Sequence, residues 1–145
     1  MNLLVYLGKI MCRSDDSENF QVMNYGIGGM ISLHVDDTNL GNSHEDATNE
    51  RTRIMTHMIY LSDVISGGHT IFPQVGVSVK PIKGSALFWF NIGPDMLHDS
   101  RMAHLGCPVL YGNKWIVNKW IKLSGQYAHH KCTMSEKTYT IHTSS

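Results

Sequence analysis

Short runs in which apolar and polar residues alternate make up most of this chain, and glycine or proline separates one run from the next. An alternation with a period of two residues is typical of half-buried β-strands. The pattern predicts strands at residues 20–25, 30–36, 53–62, 69–72, 76–80, 85–91, 101–104, 107–110 and 113–122. Helix is predicted only before residue 20, where acidic and apolar residues are mixed.

This succession of short strands favours an all-β fold, a double-stranded β-helix or jelly roll with a short N-terminal helical segment. We assign residues 1–19 to that helical support, residues 20–122 to the jelly roll and residues 123–145 to a polar C-terminal tail. In the last strand, Lys114 and Trp120 fall on the same face, so both can look into one pocket. An ordinary β-sandwich without an active site would show the same alternation, so the pattern alone gives only the fold class.

Composition excludes several classes of function. Lys plus Arg equals Asp plus Glu, 12 against 12, which gives no electrostatic reason to expect a nucleic-acid partner. No apolar run reaches the roughly 18 residues that a membrane-spanning helix needs. The three cysteines, at positions 12, 107 and 132, form no CxxC pair, which argues against a structural zinc site and leaves one disulfide with one free thiol open.

The strongest chemical signal is His34-Val35-Asp36, with His104 and Lys114 far downstream. Residues i and i+2 of a strand point to the same face, so an imidazole and a carboxylate would converge. A second histidine from another strand would complete a two-His, one-carboxylate triad, a donor set that suits non-haem Fe(II). Lys114 would then hold a dicarboxylate co-substrate. On its own, His-x-Asp is a weak signal that more often marks two surface residues of an edge strand than a metal site.

A series of motifs between Phe20 and Cys132 resembles the catalytic domain of collagen-type prolyl 4-hydroxylase α-subunits. In chain order they are Asn24-Tyr25-Gly26-x-Gly28-Gly29, His34-x-Asp36, Arg53-Ile54-x-Thr56, Tyr60-Leu61-Ser62-Asp63-Val64, Gly67-Gly68-x-Thr70-x-Phe72-Pro73, Val79-x-Pro81-x-Lys83-Gly84, Phe88-Trp89-x-Asn91, His104-x-x-Cys107-Pro108-Val109 and Gly112-Asn113-Lys114-Trp115-x-x-Asn118-Lys119-Trp120. The last block is the most specific of them.

The resemblance implies a dioxygenase that uses Fe(II), 2-oxoglutarate and O2, with ascorbate keeping the iron reduced. His34, Asp36 and His104 would be the iron ligands. Lys114, assisted by the Thr70 hydroxyl, would hold the distal carboxylate of 2-oxoglutarate. Tyr25 would reach the end of the co-substrate that chelates the metal, while a buried ammonium such as that of Lys114 requires an anionic partner in any case.

The substrate implied by the resemblance is a proline-rich or collagen-like peptide, in the endoplasmic reticulum lumen, with protein disulfide isomerase as a further partner. Cys107 and Cys132 match the positions of a disulfide in the family, and an oxidising lumen would suit that bond. The apolar run of residues 1–7 lacks a basic region before it and a small-residue cleavage site after it. We therefore predict a packed helix there rather than a signal peptide, and a secretory protein would then begin further upstream.

Some positions depart from the family pattern. Ile31, Leu33 and Val35 replace residues that are usually aromatic or proline, and Lys122 stands where the family has histidine. Arg53, Trp120 and Lys122 are assigned to a substrate groove. The departures leave two alternatives open, a non-catalytic relative that keeps the metal and serves as a binding or assembly subunit, and a jelly-roll binding module without metal.

Overall fold

The computed structural model describes residues 17–36, 52–93 and 97–123. Within them the chain forms ten strands and two short 3-10 helices, Pro73–Val75 and Ser100–Met102. In chain order the strands are β1 (Gln21–Tyr25), β2 (Ile31–His34), β3 (Arg53–Tyr60), β4 (Val64–Gly67), β5 (Thr70–Phe72), β6 (Val77–Val79), β7 (Ala86–Phe90), β8 (His104–Gly106), β9 (Val109–Gly112) and β10 (Lys114–Lys122).

The strands form two antiparallel four-stranded sheets and a two-stranded ribbon. One sheet has the order β1-β10-β3-β7, the other has the order β2-β8-β5-β6, and β4 pairs with β9. The long strands β3 and β10 occupy the centre of the first sheet, where their register pairs Trp120 with Thr56 and Ile116 with Tyr60. This is the predicted jelly roll, and the all-β fold class is confirmed.

The core follows from the alternation along β3 and β10. Ile54, Thr56, Met58 and Tyr60 are all buried on β3, and Lys114, Ile116, Asn118 and Trp120 are all buried on β10. One apolar cluster contains Met58, Tyr60, Phe72, Leu87, Trp89 and Ile116, which come from four strands. Polar side chains share these inward faces with the apolar ones, namely Thr56, Lys114 and Asn118. A functional site is expected where such groups cluster in the core.

Several element boundaries differ from the sequence prediction; β9, for example, covers Val109–Gly112 rather than 107–110. The strand predicted at 30–36 ends at His34, and Asp36 lies in a bend that follows it. The start of the strand predicted at 101–104 is a 3-10 turn at Ser100–Met102, because the Asp99 side chain accepts a hydrogen bond from the Arg101 amide and caps it, and the strand begins only at His104. Strand β4 was not predicted, since its four residues begin at Val64, end within the Gly67-Gly68 turn and carry no clear alternation.

Parts of the sequence prediction lie outside the described residues. They are residues 1–16 of the predicted helical support, residues 124–145 of the polar tail, Cys12 and Cys132. The described end of the first segment is extended, because Ser17 pairs with Ile121 as an isolated antiparallel bridge. In the three described ranges, no helix has the length and apolar character needed to cross a membrane.

Candidate active site

An open cavity lies between the two four-stranded sheets, and it encloses about 350 Å³ of space that includes open solvent. Its walls combine apolar side chains with a small number of polar and ionisable groups, a composition typical of small-molecule sites. The lining residues are Met23, Tyr25, Ile31, His34, Asp36, Met58, Thr70, Trp89, His104, Gly106, Lys114, Ile116 and Asn118. The cavity therefore brings together residues from β1, β2, β3, β5, β7, β8 and β10.

The ladder between β2 and β8 places two histidines side by side at one end of the cavity. His34 is the register partner of His104, and their ring centroids lie 4.3 Å apart. Asp36 Oδ1 lies 3.6 Å from His34 Nε2 and 3.8 Å from His104 Nε2. One ligand atom from each residue lies within 4.8 Å of the others. The three donors converge on one point at separations longer than ordinary hydrogen bonds.

Backbone carbonyl groups orient both imidazoles. His34 Nδ1 lies 2.8 Å from the carbonyl oxygen of Ser32, and His104 Nδ1 lies 3.0 Å from that of Met102. A carbonyl oxygen can only accept, so the proton of each neutral ring sits on Nδ1 and the Nε2 lone pair is left toward Asp36. This is the arrangement by which outer contacts fix the tautomer of a metal-binding histidine.

Asp36 is held from two sides. Its Oδ2 accepts a hydrogen bond from Thr56 Oγ1 at 2.5 Å, and its main-chain oxygen accepts one from Arg53 Nη1 at 2.9 Å. Arg53 also pairs with Glu18 through two hydrogen bonds of 2.6 and 2.8 Å, and its guanidinium lies 3.8 Å from the centre of the Trp120 ring. The carboxylate and its backbone are therefore fixed by separate contacts.

The charge states suit a cation. Burial alone would raise the pKa of Asp36, but the neighbouring His34 and His104 and the Thr56 hydrogen bond hold that pKa below its ordinary value. Burial lowers the pKa of His104, which favours the neutral ring. The Asp36 carboxylate raises the pKa of His34 against the effect of partial burial. An ionised carboxylate beside imidazoles that bind as neutral rings is the form in which these residues ligate metals.

Lys114 lines the same cavity with a buried ammonium group. Only 3% of the residue is exposed, and burial lowers the pKa of Lys114 to about 8. Its Nζ lies 3.4 Å from Thr70 Oγ1 and 5.6 Å from the centre of the Tyr25 ring. Among the described residues, no carboxylate forms an ion pair with it. A buried cation without a counter-ion is a site for an anionic ligand.

Two further residues shape the anion end of the cavity. The hydroxyl of Tyr60, a fully buried residue, donates to Thr70 Oγ1 at 2.7 Å. Burial raises the pKa of Tyr60 to about 12, so the phenol keeps its proton. Gly106 leaves the space that a ligand needs, because a Cβ atom there would lie 3.5 Å from Lys114 Nζ and 2.9 Å from Ile31 Cγ2.

The residues present fit the metal and co-substrate that the sequence predicts. Two imidazole nitrogens and one carboxylate oxygen form the donor set of non-haem Fe(II) oxygenases, in which the remaining positions stay open. An unpaired ammonium group in the same cavity complements the far carboxylate of a dicarboxylic acid. The convergence of the donors and the orphaned cation are independent observations, and they point to the same chemistry.

The structure gathers six of the predicted site residues around the cavity, namely Tyr25, His34, Asp36, Thr70, His104 and Lys114. It does not bring the predicted groove residues into that group. Trp120 and Arg53 pack behind Asp36, and Lys122 is half-buried opposite Arg53 after a register shift at the end of β10. Their role in a substrate groove stays a prediction.

Cys107 is half-buried, but the predicted disulfide depends on Cys132, outside the described residues.

Sequence reasoning assigned no role to Thr56, Tyr60 or Asn91, although all three contact the site residues or each other. Each of them is nearly or fully buried. One sequence pattern could have indicated them: a polar side chain on the apolar face of a strand, as Thr56 is between Ile54 and Met58. Such groups are hydrogen-bonded in folded proteins, but the identity of their partners depends on the sheet order.

Comparison with known proteins agrees with this site. The family model of the 2OG-Fe(II) oxygenase superfamily matches residues 20–122. Prolyl 4-hydroxylase subunit alpha-1 of Gallus gallus is 47% identical over 124 residues, which cover 83% of this chain and 23% of the relative. Prolyl 4-hydroxylase subunit alpha-3 of Homo sapiens is 42% identical over 119 residues, which cover 82% of this chain and 22% of the relative.

Solved structures give the same result. The viral collagen prolyl hydroxylase of Paramecium Bursaria Chlorella virus-1, solved as a 2OG complex, matches with a TM-score of 0.66 and 30% identity. That match covers 73% of this chain and 59% of the viral chain. The chain thus spans less than a quarter of the length of the curated relatives described above. The family model accounts for every cavity-lining residue from Met23 to Asn118, and the chain belongs to the 2OG-Fe(II) oxygenase superfamily.

Proposed function

We propose that this chain is a 2-oxoglutarate- and Fe(II)-dependent dioxygenase domain that hydroxylates proline residues in peptides. The observation that carries the proposal is the cavity in which His34, Asp36 and His104 converge beside the buried, unpaired ammonium group of Lys114. The His-Asp-His cluster alone, or the buried lysine alone, could be a purely structural feature. Together they provide for a divalent metal and a dianionic co-substrate within one small space.

His34 Nε2, Asp36 Oδ1 and His104 Nε2 would hold the iron. Two neutral imidazoles and one carboxylate leave a divalent ion with one net positive charge, which attracts the 2-oxo acid end of the co-substrate. When bound, Fe(II) supplies the redox chemistry that couples conversion of 2-oxoglutarate and O2 into succinate and CO2 to insertion of one oxygen atom into a C–H bond. The protein's part is to hold the reactants and to keep the Asp36 carboxylate ionised.

Lys114 would bind the distal carboxylate of 2-oxoglutarate, and Thr70 would donate its hydroxyl hydrogen to the same group. Tyr60 supports this role, because its hydroxyl donates to Thr70 Oγ1 and so leaves the Thr70 proton free for another acceptor. Tyr25 lines the same cavity, with its ring 5.6 Å from the ammonium, and would contact the chelating end. Met58, Trp89 and Ile116 provide apolar walls that limit the access of water.

Peptidyl proline is the substrate that similarity supports. The curated relatives described above share 42–47% identity with this chain and are named prolyl 4-hydroxylase subunits. The viral structure at 30% identity is a collagen prolyl hydroxylase. We therefore propose a proline-rich or collagen-like peptide as substrate, and ascorbate as the reductant that maintains Fe(II).

We also propose the endoplasmic reticulum lumen as the location and protein disulfide isomerase as a partner. Support for both comes from the resemblance to collagen-type α-subunits, and the relatives' designation as subunits agrees with a second polypeptide. Tagging the endogenous protein in its own cells, followed by co-purification and co-localisation with a lumenal marker, tests both proposals. Recovery of the chain from the cytosol, free of the isomerase, would contradict them.

Succinate formation is the direct test of the activity. The purified chain is incubated with Fe(II), 2-oxoglutarate and ascorbate, with and without a (Pro-Pro-Gly) repeat peptide. We expect peptide-stimulated succinate release and a 16 Da mass increase on proline, both lost in His104→Ala. Metal binding without succinate release in either condition would instead support the non-catalytic alternative. Absence of metal binding would contradict the proposed site itself.

A further inference from the structure

A chain of two hydrogen bonds links the Asp36 carboxylate to the first sheet. Asn91 Nδ2 donates to Thr56 Oγ1 at 3.0 Å, and Thr56 Oγ1 donates to Asp36 Oδ2 at 2.5 Å. Thr56 lies in the middle of β3 and Asn91 directly follows β7, the strand that pairs with it. Thr56 is 0% exposed and Asn91 is 1% exposed, so water does not compete for either group.

The direction of both hydrogen bonds is determined by the chemistry of the groups. An amide nitrogen is only a donor, so Thr56 Oγ1 must accept from Asn91. An ionised carboxylate is only an acceptor, so the single Thr56 proton must point to Asp36 Oδ2. The Asn91 amide thereby orients the Thr56 hydroxyl, which cannot turn away without leaving a buried donor or acceptor unsatisfied.

The two carboxylate oxygens of Asp36 consequently have different tasks. Oδ2 is committed to Thr56, while Oδ1 faces the Nε2 atoms of His34 and His104. The backbone of Asp36 is held separately, by Arg53 at its main-chain oxygen. The Trp120 side chain also lies against the carboxylate. Loss of the Thr56 hydroxyl would therefore loosen the orientation of the carboxylate group and leave the main chain anchored.

We propose that Thr56 and Asn91 are positioning residues that make Asp36 a one-oxygen ligand of the metal. The inference rests on the proposed function and adds two residues to it. With Oδ2 engaged, Asp36 occupies one coordination position, and the others stay available for 2-oxoglutarate and O2. Without the Thr56 hydroxyl, Oδ2 is free to turn toward the metal, and the carboxylate loses its fixed orientation.

Binding of Co(II) under anaerobic conditions tests this proposal without relying on turnover. Outer hydrogen bonds of this kind change metal affinity by about 10- to 100-fold. Thr56→Val replaces the hydroxyl with a methyl group of similar size, and we expect a rise of that order in the Kd for Co(II). Thr56→Ser retains the hydroxyl and should recover most of the affinity. The Co(II) absorption spectrum at saturation should change in Thr56→Val only.

Thr52 offers a matched control. It is also 0% exposed, and within the described residues its Oγ1 has no hydrogen-bond partner. Thr52→Val removes the same atom from the same kind of environment, so it should leave Co(II) affinity at the wild-type value. A loss of affinity as large as that of Thr56→Val would overturn the proposal, because it would reflect a general response of the core.

Asn91→Leu tests the second hydrogen bond. If Asn91 acts through Thr56, the single variant should weaken Co(II) binding less than Thr56→Val, and the double variant should bind no more weakly than Thr56→Val alone. Additive losses would overturn the relay. Should Thr56→Val fail to fold, Asn91→Leu decides, since wild-type affinity in that variant would contradict the proposal.

The proposed function fails in a different way. Wild-type protein that does not bind Co(II), or His104→Ala protein that binds as tightly as wild type, would disprove the triad. Tight binding by wild type, loss in His104→Ala and unchanged affinity in Thr56→Val would leave the metal site intact and overturn the inference about Thr56 and Asn91.

Discussion

The hydroxyl of Tyr60 lies 2.7 Å from Thr70 Oγ1, and the ammonium of Lys114 lies 3.4 Å from the same oxygen. Thr70 therefore accepts from two donors, and its own proton is left for a third group in the cavity. The anion end of the site is thus set by three side chains from β3, β5 and β10. Gly106 also borders this end, because a Cβ atom at that position would lie 3.5 Å from Lys114 Nζ.

Tyr60→Phe should weaken the binding of 2-oxoglutarate while leaving metal affinity unchanged. The variant removes one hydrogen bond to Thr70, and a typical net contribution of about 0.5–1.5 kcal/mol corresponds to a rise in Kd of roughly two- to tenfold. Titration of Co(II)-loaded protein with 2-oxoglutarate measures this Kd. An unchanged Kd would show that the Thr70 hydroxyl does not need Tyr60 for its orientation.

Lys114→Ala should raise the Kd for 2-oxoglutarate much more than Tyr60→Phe does. A buried charge-assisted contact whose partner is left unpaired costs about 2–5 kcal/mol, so the Kd for 2-oxoglutarate should rise by a factor of tens or more. Lys114→Arg should restore the affinity only in part, because a planar guanidinium and a compact ammonium require different geometry. Equal co-substrate binding in wild type and Lys114→Ala would place the anion site elsewhere.

Co-substrate binding should weaken as the pH rises through the pKa of Lys114, which burial lowers to about 8. The ammonium is present below that pH and attracts the carboxylate, whereas the neutral amine above it does not. The Kd for 2-oxoglutarate should therefore be nearly constant below pH 7.5 and rise toward tenfold per pH unit above pH 8.5. In Lys114→Ala this dependence should disappear. A flat profile in wild type would contradict the role of the ammonium.

A disulfide between Cys107 and Cys132 remains a prediction of the family resemblance. Peptide mapping of non-reduced protein should recover the two cysteines in one linked peptide, and reduction should lower the melting temperature. Closing a loop of about 25 residues contributes about 3 kcal/mol to the free energy of unfolding in the chain-entropy model. Alkylation of both thiols in native, non-reduced protein would contradict the bond and would weaken the case for a lumenal location.

The sequence was sufficient to predict the faces of β3 and β10 because alternation is a local property. It also singled out His34 and Asp36, but for a partly incorrect reason. The strand ends at His34. Asp36 is held at the site by Thr56, which contacts its side chain, and by Arg53, which contacts its main-chain oxygen, rather than by continued strand pairing. Those contacts depend on which strands adjoin β3, and no local pattern specifies that order.

Lys122 illustrates the same limit. Extending the alternation of β10 by two residues beyond Trp120 predicts a position at the pocket mouth. The register shifts between Ile121 and Lys122, and Trp120 and Ile121 are buried in succession, so the alternation does not extend to Lys122 and its place in a groove stays a prediction. A shift of one residue moves a side chain to the other face of a sheet. Irregularities at strand ends arise from tertiary packing, so alternation alone does not predict them.

The pairing of residues 34 and 104 has a consequence for how the protein matures. These two histidines meet only when β2 and β8 join, and contacts between residues so distant in sequence are characteristically slow to form. A partly folded chain therefore offers no complete set of donors. Metal that binds only the finished fold stabilises it by mass action. The supply of iron during synthesis should thus influence how much of the chain escapes aggregation and degradation, in addition to how fast the finished protein turns over.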